Sequence, residues 1–309
     1  MKISTQGAWF IDEFGRRLIL HGVNLSGSSK IPKMPNGATH LRDGFFDHRN
    51  VSFVGRPFPL EEADEHFTRL RAWGLTLLRF VVTWEAIEHA GPGQYDQEYL
   101  DYLYAVIKKA DEYGFTVIID PHQDVWSRFT GGDGAPGWTL EAVGFDITHL
   151  HETGAAIVHQ LNAEQFLPMI WPTNGMRLAA ATMFTIFYGG NDFAPQTKID
   201  GEPAQEYLQR HYCAAFQQVA ARLKDLNCVI GFEVVNEPLN GFIGLKDITK
   251  PLFPIKYGPV VSPLQGMLSG EGIPQEIEVW ERTRIRTRLS GHQILNPDKI
   301  RIWSEGKTG

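Results

Sequence analysis

The chain has 309 residues, is 43% hydrophobic and 21% charged, and carries enough apolar material for one large domain with a buried core. Its net charge of −7 argues against a phosphate-backbone partner, since nucleic-acid binders concentrate positive charge; a neutral substrate fits better than an anionic one. The two cysteines, Cys213 and Cys228, make no disulfide framework and read as buried free thiols.

The N-terminus carries no apolar signal region, and no run approaches the roughly 18 apolar residues of a membrane span. A soluble cytoplasmic protein without a transmembrane segment is expected. With 8 Trp and 9 Tyr, flat rings suited to sugar faces are abundant, although most should be core.

In chain order, residues 8–11 and 17–20 flank a turn closed by Gly15 and predict a hairpin. Its second arm runs into His21-Gly22-Val23-Asn24, read as a first barrel strand. A helix over 60–73 places Ala63, Phe67 and Leu70 on one face and ends at Gly74. Residues 75–81 are almost continuously apolar, as a strand buried on both faces should be. Asp96 is an N-cap for a helix with Tyr99, Leu103, Val106, Ile107 and Ala110 in phase, ending at Gly114. Residues 115–120 form the third strand. A long irregular insertion, 123–202, follows; loops of this length are usually functional. A helix from near Pro203 leads to the fourth strand, 229–235, which ends at Asn236-Glu237-Pro238.

Strict strand–helix alternation predicts a parallel α/β sheet. No strand is followed by Gly-x-Gly-x-x-Gly, and neither cofactor nor metal is expected. Polar residues instead gather at the strand ends, as in a barrel active site. Arg79 lies in strand two, His122 and Asp124 follow strand three, and Asn236 and Glu237 follow strand four. Glycosidic cleavage needs an acid to protonate the leaving oxygen and a second carboxylate to attack or to activate water. Glu237 is the candidate acid/base, since partial desolvation at a strand end is how such an acid is kept protonated. Asn236 beside it can bond a sugar 2-hydroxyl. The plainer reading of Glu237 is a surface residue before a helix-starting proline.

Together these residues resemble glycoside hydrolase family 5, retaining enzymes on a (β/α)8 TIM barrel. Phe232-Glu233-Val234-Val235-Asn236-Glu237-Pro238 is similar to the family's strand-four motif, Arg79 to its strand-two arginine and His122 to its strand-three histidine. More narrowly, Asp120-Pro121-His122-Gln123-Asp124-Val125-Trp126-Ser127 resembles the glycolipid branch of endoglycoceramidases, glucosylceramidases and steryl-β-glucosidases. Three further segments are similar to that branch: His21-Gly22-Val23-Asn24 with Ser28-Ser29-Lys30, Phe53-Val54-Gly55-Arg56-Pro57, and Ile170-Trp171-Pro172-Thr173-Asn174. The resemblance implies that Arg79 orients the nucleophile and His122 bonds the sugar. It implies that Lys30 and Asp124 grip glucose hydroxyls and that Trp171 stacks on the ring. The plainer alternatives are a salt bridge at the barrel mouth, a core histidine, a solvated ion pair and loop core.

The family nucleophile ends strand seven. Too few residues follow Glu237 to build strands five to seven, at roughly 30 residues per βα unit. The tail contains a Pro- and Gly-rich stretch, 251–274, with little regular structure expected. Residues 299–303 predict at most one further strand, ending at Glu305. The expectation is a single catalytic domain over 1–309, incomplete at its C-terminus, holding the N-terminal half to two-thirds of the barrel. A missing C-terminal half or partner chain would complete it, and the chain alone would be inert. The substrate implied is a glycolipid β-glucoside, with transient contact to membrane lipid. The alternatives are a β-glucan hydrolase and an inactive sugar-binding remnant.

Overall fold

The computed structural model describes residues 3–162, 167–253 and 255–307; residues 163–166 of the 123–202 stretch lie outside it, as do Met1 and Lys2 of the N-terminus. Strands β1 (Ser4–Gln6), β2 (Trp9–Ile11) and β3 (Arg17–Leu18) form a small antiparallel sheet before β4 (Gly22–Leu25). Then come α1 (Ala63–Ala72), β5 (Leu77–Thr83), α2 (Trp84–Glu88), α3 (Gln97–Glu112) and β6 (Thr116–His122). Next are α4 (Trp138–Val143), α5 (Leu178–Phe193), the short pair β7 (Lys198–Ile199) and β8 (Glu202–Pro203), α6 (Ala204–Leu223) and β9 (Val229–Phe232). The chain continues through β10 (Gly258–Val260), α7 (Pro263–Gly270), β11 (Gln275–Arg282) and β12 (Thr287–Leu295).

The organising element is the four-stranded parallel sheet β4-β5-β6-β9, consecutive barrel strands hydrogen-bonded in sequence order. Leu78, Phe80 and Val82 of β5 and Val117 and Ile119 of β6 are buried, and join one core with Phe67 of α1 and Leu103, Val106 and Ile107 of α3. Phe67 is completely buried, so Phe67→Ala should cost about 3–5 kcal/mol. The Asp96 side chain caps α3 by accepting the Tyr99 N–H at 2.9 Å, and Gly114 (φ +72°) follows the helix end as read from sequence.

Four expectations are corrected. The stretch 123–202 is not irregular throughout: it contains α4 and α5. Helix α5 is buried on nearly every side, so it lacks the polar stripe that reveals an amphipathic helix. Residues 299–303 are not a strand; they make one isolated bridge, Phe145 to Trp303, and the buried Ile302 accepts from Asp146 N and donates to Gly270 O, which ties the segment to the turn after α4 and to the end of α7. The tail is not poor in regular structure, since α7 and the antiparallel sheet β10-β11-β12 occupy it. Cys228 is buried, but Cys213 is exposed on α6. Among the described residues, no helix is long and apolar enough to cross a membrane.

Candidate active site

The C-terminal ends of the four parallel strands carry an unbroken chain of alternating charge. In a strand, side chains two apart share a face, so Asp120 and His122 of β6 point the same way. Asp120 is completely buried; its Oδ2 is ion-paired with Arg79 Nη1 of β5 at 2.9 Å and hydrogen-bonded to His122 Nδ1 at 2.6 Å. Arg79 then reaches strand four. Its Nε and Nη2 donate to the two oxygens of Glu233 at 2.7 and 2.5 Å, and Nη2 also donates to Asn236 Oδ1 at 2.9 Å. In the other direction His122 Nε2 lies 3.3 Å from Asp124 Oδ2, which is ion-paired to Lys30 from the loop after β4.

The electrostatics follow from these contacts. Burial opposes a charged His122, but hydrogen bonds to Asp120 and Asp124, with the nearby carboxylate charges, prevail and raise its pKa to about 9. Asp124 is buried too, yet bonds from His122, Lys30 and Asp133 hold its carboxyl well below the usual range. Asp133 behaves oppositely: burial and the Asp124 charge push its carboxyl well up. His122, Asp124 and Asp133 bring possible ligand atoms within 4.8 Å of one another. The Lys30 ammonium stands there, paired with Asp124 and 3.7 Å from Asp133, so the positive charge a cation would bring is already supplied.

The loop that places Asp133 depends on glycine. Asp124 and Asp133 exchange both backbone hydrogen bonds at 3.0 Å, and a Cβ on Gly132 would lie 1.8 Å from the Asp124 carbonyl oxygen. The same region stores backbone strain. Val125, Trp126 and Glu237 all have positive φ, at 48°, 82° and 39°. One side chain holds both strained segments. Gln123 Oε1 accepts the Trp126 N–H at 2.9 Å, while its Nε2 donates to the carbonyls of Asn236 and Glu237 at 2.6 and 3.1 Å.

The structure thus gathers Arg79, His122, Asn236, Lys30 and Asp124 into one network, with Glu237 immediately beyond it. Lys30 and Asp124 are a half-buried pair, not a solvated one. Glu237 is exposed, so the described residues do not supply the desolvation expected from sequence. Among the described residues, β9, the strand before it, is paired on the β6 side alone. No helix starts at Pro238. Trp171 is half-buried and spends its indole N–H on Gly131 O at 2.8 Å, a loop-anchoring role. Trp126 and Trp138 are buried core. Glu305 sits in an exposed turn rather than at a strand end.

Four participants were not singled out from sequence: Asp120, Gln123, Asp133 and Glu233. Period two from His122 would have found Asp120. Glu233 becomes a partner only when β5 and β9 are brought to one sheet. Asp133 is marked in sequence only by its glycine neighbours.

Consecutive parallel strands with a polar, charged site at their C-terminal ends define a TIM-barrel enzyme architecture. The family model described as Cellulase (glycosyl hydrolase family 5) matches residues 44–244, and the chain belongs to glycosyl hydrolase family 5. It is 50% identical to a glucosylceramidase of Rhizopus delemar, over 98% of this chain and 46% of that protein. It is 39% identical to an ergosteryl-beta-glucosidase of Saccharomyces cerevisiae, over 97% and 43% respectively. Among solved structures, sterylglucosidase 1 of Cryptococcus neoformans superposes with a TM-score of 0.92 at 42% identity, over 99% of this chain and 44% of that one. The chain therefore spans less than half the length of the relatives it matches.

Proposed function

We propose that the protein bearing this chain is a retaining β-glycosidase acting on the β-glucosidic bond of a glycolipid, glucosylceramide or a steryl glucoside, with Glu237 as its acid/base. The observation that carries the reading is the position of Glu237 in the segment that follows β9, the fourth parallel strand, which ends at Phe232 rather than at residue 235; it lies directly beyond the Lys30–Asp124–His122–Asp120–Arg79–Asn236 network. The relatives' names support the substrate class.

In this reading Lys30, Asp124 and His122 present charged donors and an acceptor to glucose hydroxyls from the open face of the sheet. Asn236 is fixed at both ends of its amide, by Arg79 and by the Gln123 carbonyl at 3.1 Å, and its Oδ1 retains a lone pair for the sugar 2-hydroxyl. Glu237 protonates the leaving lipid oxygen and then deprotonates the incoming water. Arg79 serves as a positioning cation. Hydrolysis of glucosylceramide, a steryl glucoside and cello-oligosaccharides, compared by kcat/KM, tests the substrate class. Preference for the cello-oligosaccharides would favour a β-glucan hydrolase.

A second reading has one observation behind it. Of the acidic groups near the strand ends other than Glu237, Glu233 and Asp120 are bound to Arg79, Asp124 is bound to Lys30, and Asp133 is buried beside the same Lys30 ammonium. Among the described residues of this network every carboxylate other than Glu237 is held in an ion pair or buried, and none is free. The 309-residue chain by itself is thus read as a sugar-binding unit without turnover.

A further inference from the structure

We propose that the tip of the β11–β12 hairpin is a membrane-docking element that binds anionic phospholipid headgroups. This deepens the glycolipid reading, because an enzyme whose substrate sits in a bilayer must reach that surface.

The hairpin projects beyond the rest of its sheet: β10 pairs with β11 as far as Trp280, and residues 281–288 extend past it. Its register runs from Gln275 opposite Leu295 at the base to Arg282 opposite Thr287 near the tip. At about 3.4 Å per residue, eight-residue β11 spans roughly 27 Å. The base is fixed to the body of the protein. Ile277 is 1% exposed and Leu295 8%, and Gln265 Nε2 of α7 donates to Glu276 O at 2.9 Å. The tip touches nothing comparable: Ile285 is 93% exposed.

The sequence there is Arg282-Thr283-Arg284-Ile285-Arg286-Thr287-Arg288, with all four arginines and the isoleucine exposed. Arg288 is paired with Glu281 at 2.6 Å. Among the described residues, no carboxylate is paired with Arg282, Arg284 or Arg286. Such a cluster is out of keeping with a chain of net charge −7. Guanidinium groups bind phosphate through two parallel N–H bonds, and an apolar residue among them can enter the headgroup boundary. The interleaved isoleucine favours a lipid surface over a nucleic acid. No aromatic residue lies between 282 and 288 to stack on bases.

The test is co-sedimentation of the 309-residue chain with vesicles of phosphatidylcholine alone and of phosphatidylcholine with phosphatidylserine, at low and high salt. The vesicles contain no glycolipid, so the outcome is independent of whether glucosides are hydrolysed. Binding should require phosphatidylserine and weaken with salt. Each arginine contributes about fivefold, so Arg284→Gln with Arg286→Gln should lower the partition coefficient about 25-fold. Ile285→Ser should lower it further. Lys108→Gln with Lys224→Gln removes equal charge at exposed positions elsewhere and should change it less than twofold. Circular dichroism shows whether each variant is folded. No binding by the folded chain would overturn the proposal, as would equal loss in both double variants, or tip-dependent binding to an oligonucleotide but not to vesicles.

Discussion

The side-chain amide of Gln123 donates to the carbonyl oxygen of Glu237 at 3.1 Å, and so ties the end of strand three to the backbone of the proposed acid/base. The same amide holds Asn236 O and the Trp126 N–H. Residues with positive φ sit on both sides of this clamp. Gln123→Ala would leave an N–H and two carbonyls wanting partners, in a region where backbone geometry is already strained. We predict a loss of about 1–3 kcal/mol in urea unfolding of the chain. A loss below about 0.5 kcal/mol, the usual scatter for a neutral surface change, would show that the clamp is dispensable.

Asp120→Asn tests the centre of the charge network. Asp120 is completely buried between Arg79 and His122. Removing its charge leaves two cations facing each other with no anion between them. Breaking a buried pair in this way costs about 3–5 kcal/mol. Chemical denaturation measures it directly. A neutral result would mean that water or Glu233 compensates.

His122 predicts a pH dependence with a definite sign. Its folded pKa, about 9, lies above its unfolded value. Its contribution to stability is therefore complete below about pH 6.5 and disappears as pH rises through about 9. Melting temperature across that window should fall more for the wild-type chain than for His122→Asn. Parallel curves would contradict the ion-paired imidazolium. Asp124 works at the other end: its depressed carboxyl stabilises above its unfolded value and the contribution is lost as pH falls far below it.

The purified 309-residue chain, free of host glucosidases, is expected to show no turnover of an aryl β-glucoside. Retention needs two carboxyl groups about 5–5.5 Å apart across the scissile bond. Turnover abolished by Glu305→Gln would mean that the exposed turn at 304–306 houses the nucleophile after all.

Much of this arrangement was legible in the sequence, for physical reasons. The strands β5 and β6 are continuous apolar runs because both faces are covered, and α3 shows its cap and its stripe. Arg79 stood out as a charge inside the apolar run of β5, and His122, Asn236 and Glu237 because polar side chains gathered after parallel strands mark a barrel active site. Helix α5 was not legible because burial on nearly all sides erases periodicity. The hairpin β11–β12 was hidden because its turn, Thr283 to Arg286, lacks the glycine or asparagine that usually marks one. The exposure of Glu237 could not be read at all, since it depends on which strand flanks β9.

The central claim is that Glu237 is the acid/base of a retaining mechanism, and the most direct measurement is azide rescue of Glu237→Ala in a form of the protein that turns over β-glucosides. An activated aryl glucoside needs little protonation, so the variant should still form the glucosyl-enzyme but hydrolyse it slowly. Azide needs no general base and should restore turnover of this substrate, yielding β-glucosyl azide, while steryl glucoside hydrolysis stays lost. Formation of α-glucosyl azide would assign Glu237 as the nucleophile instead. Equal loss on both substrates without rescue, or no loss at all, would contradict the assignment.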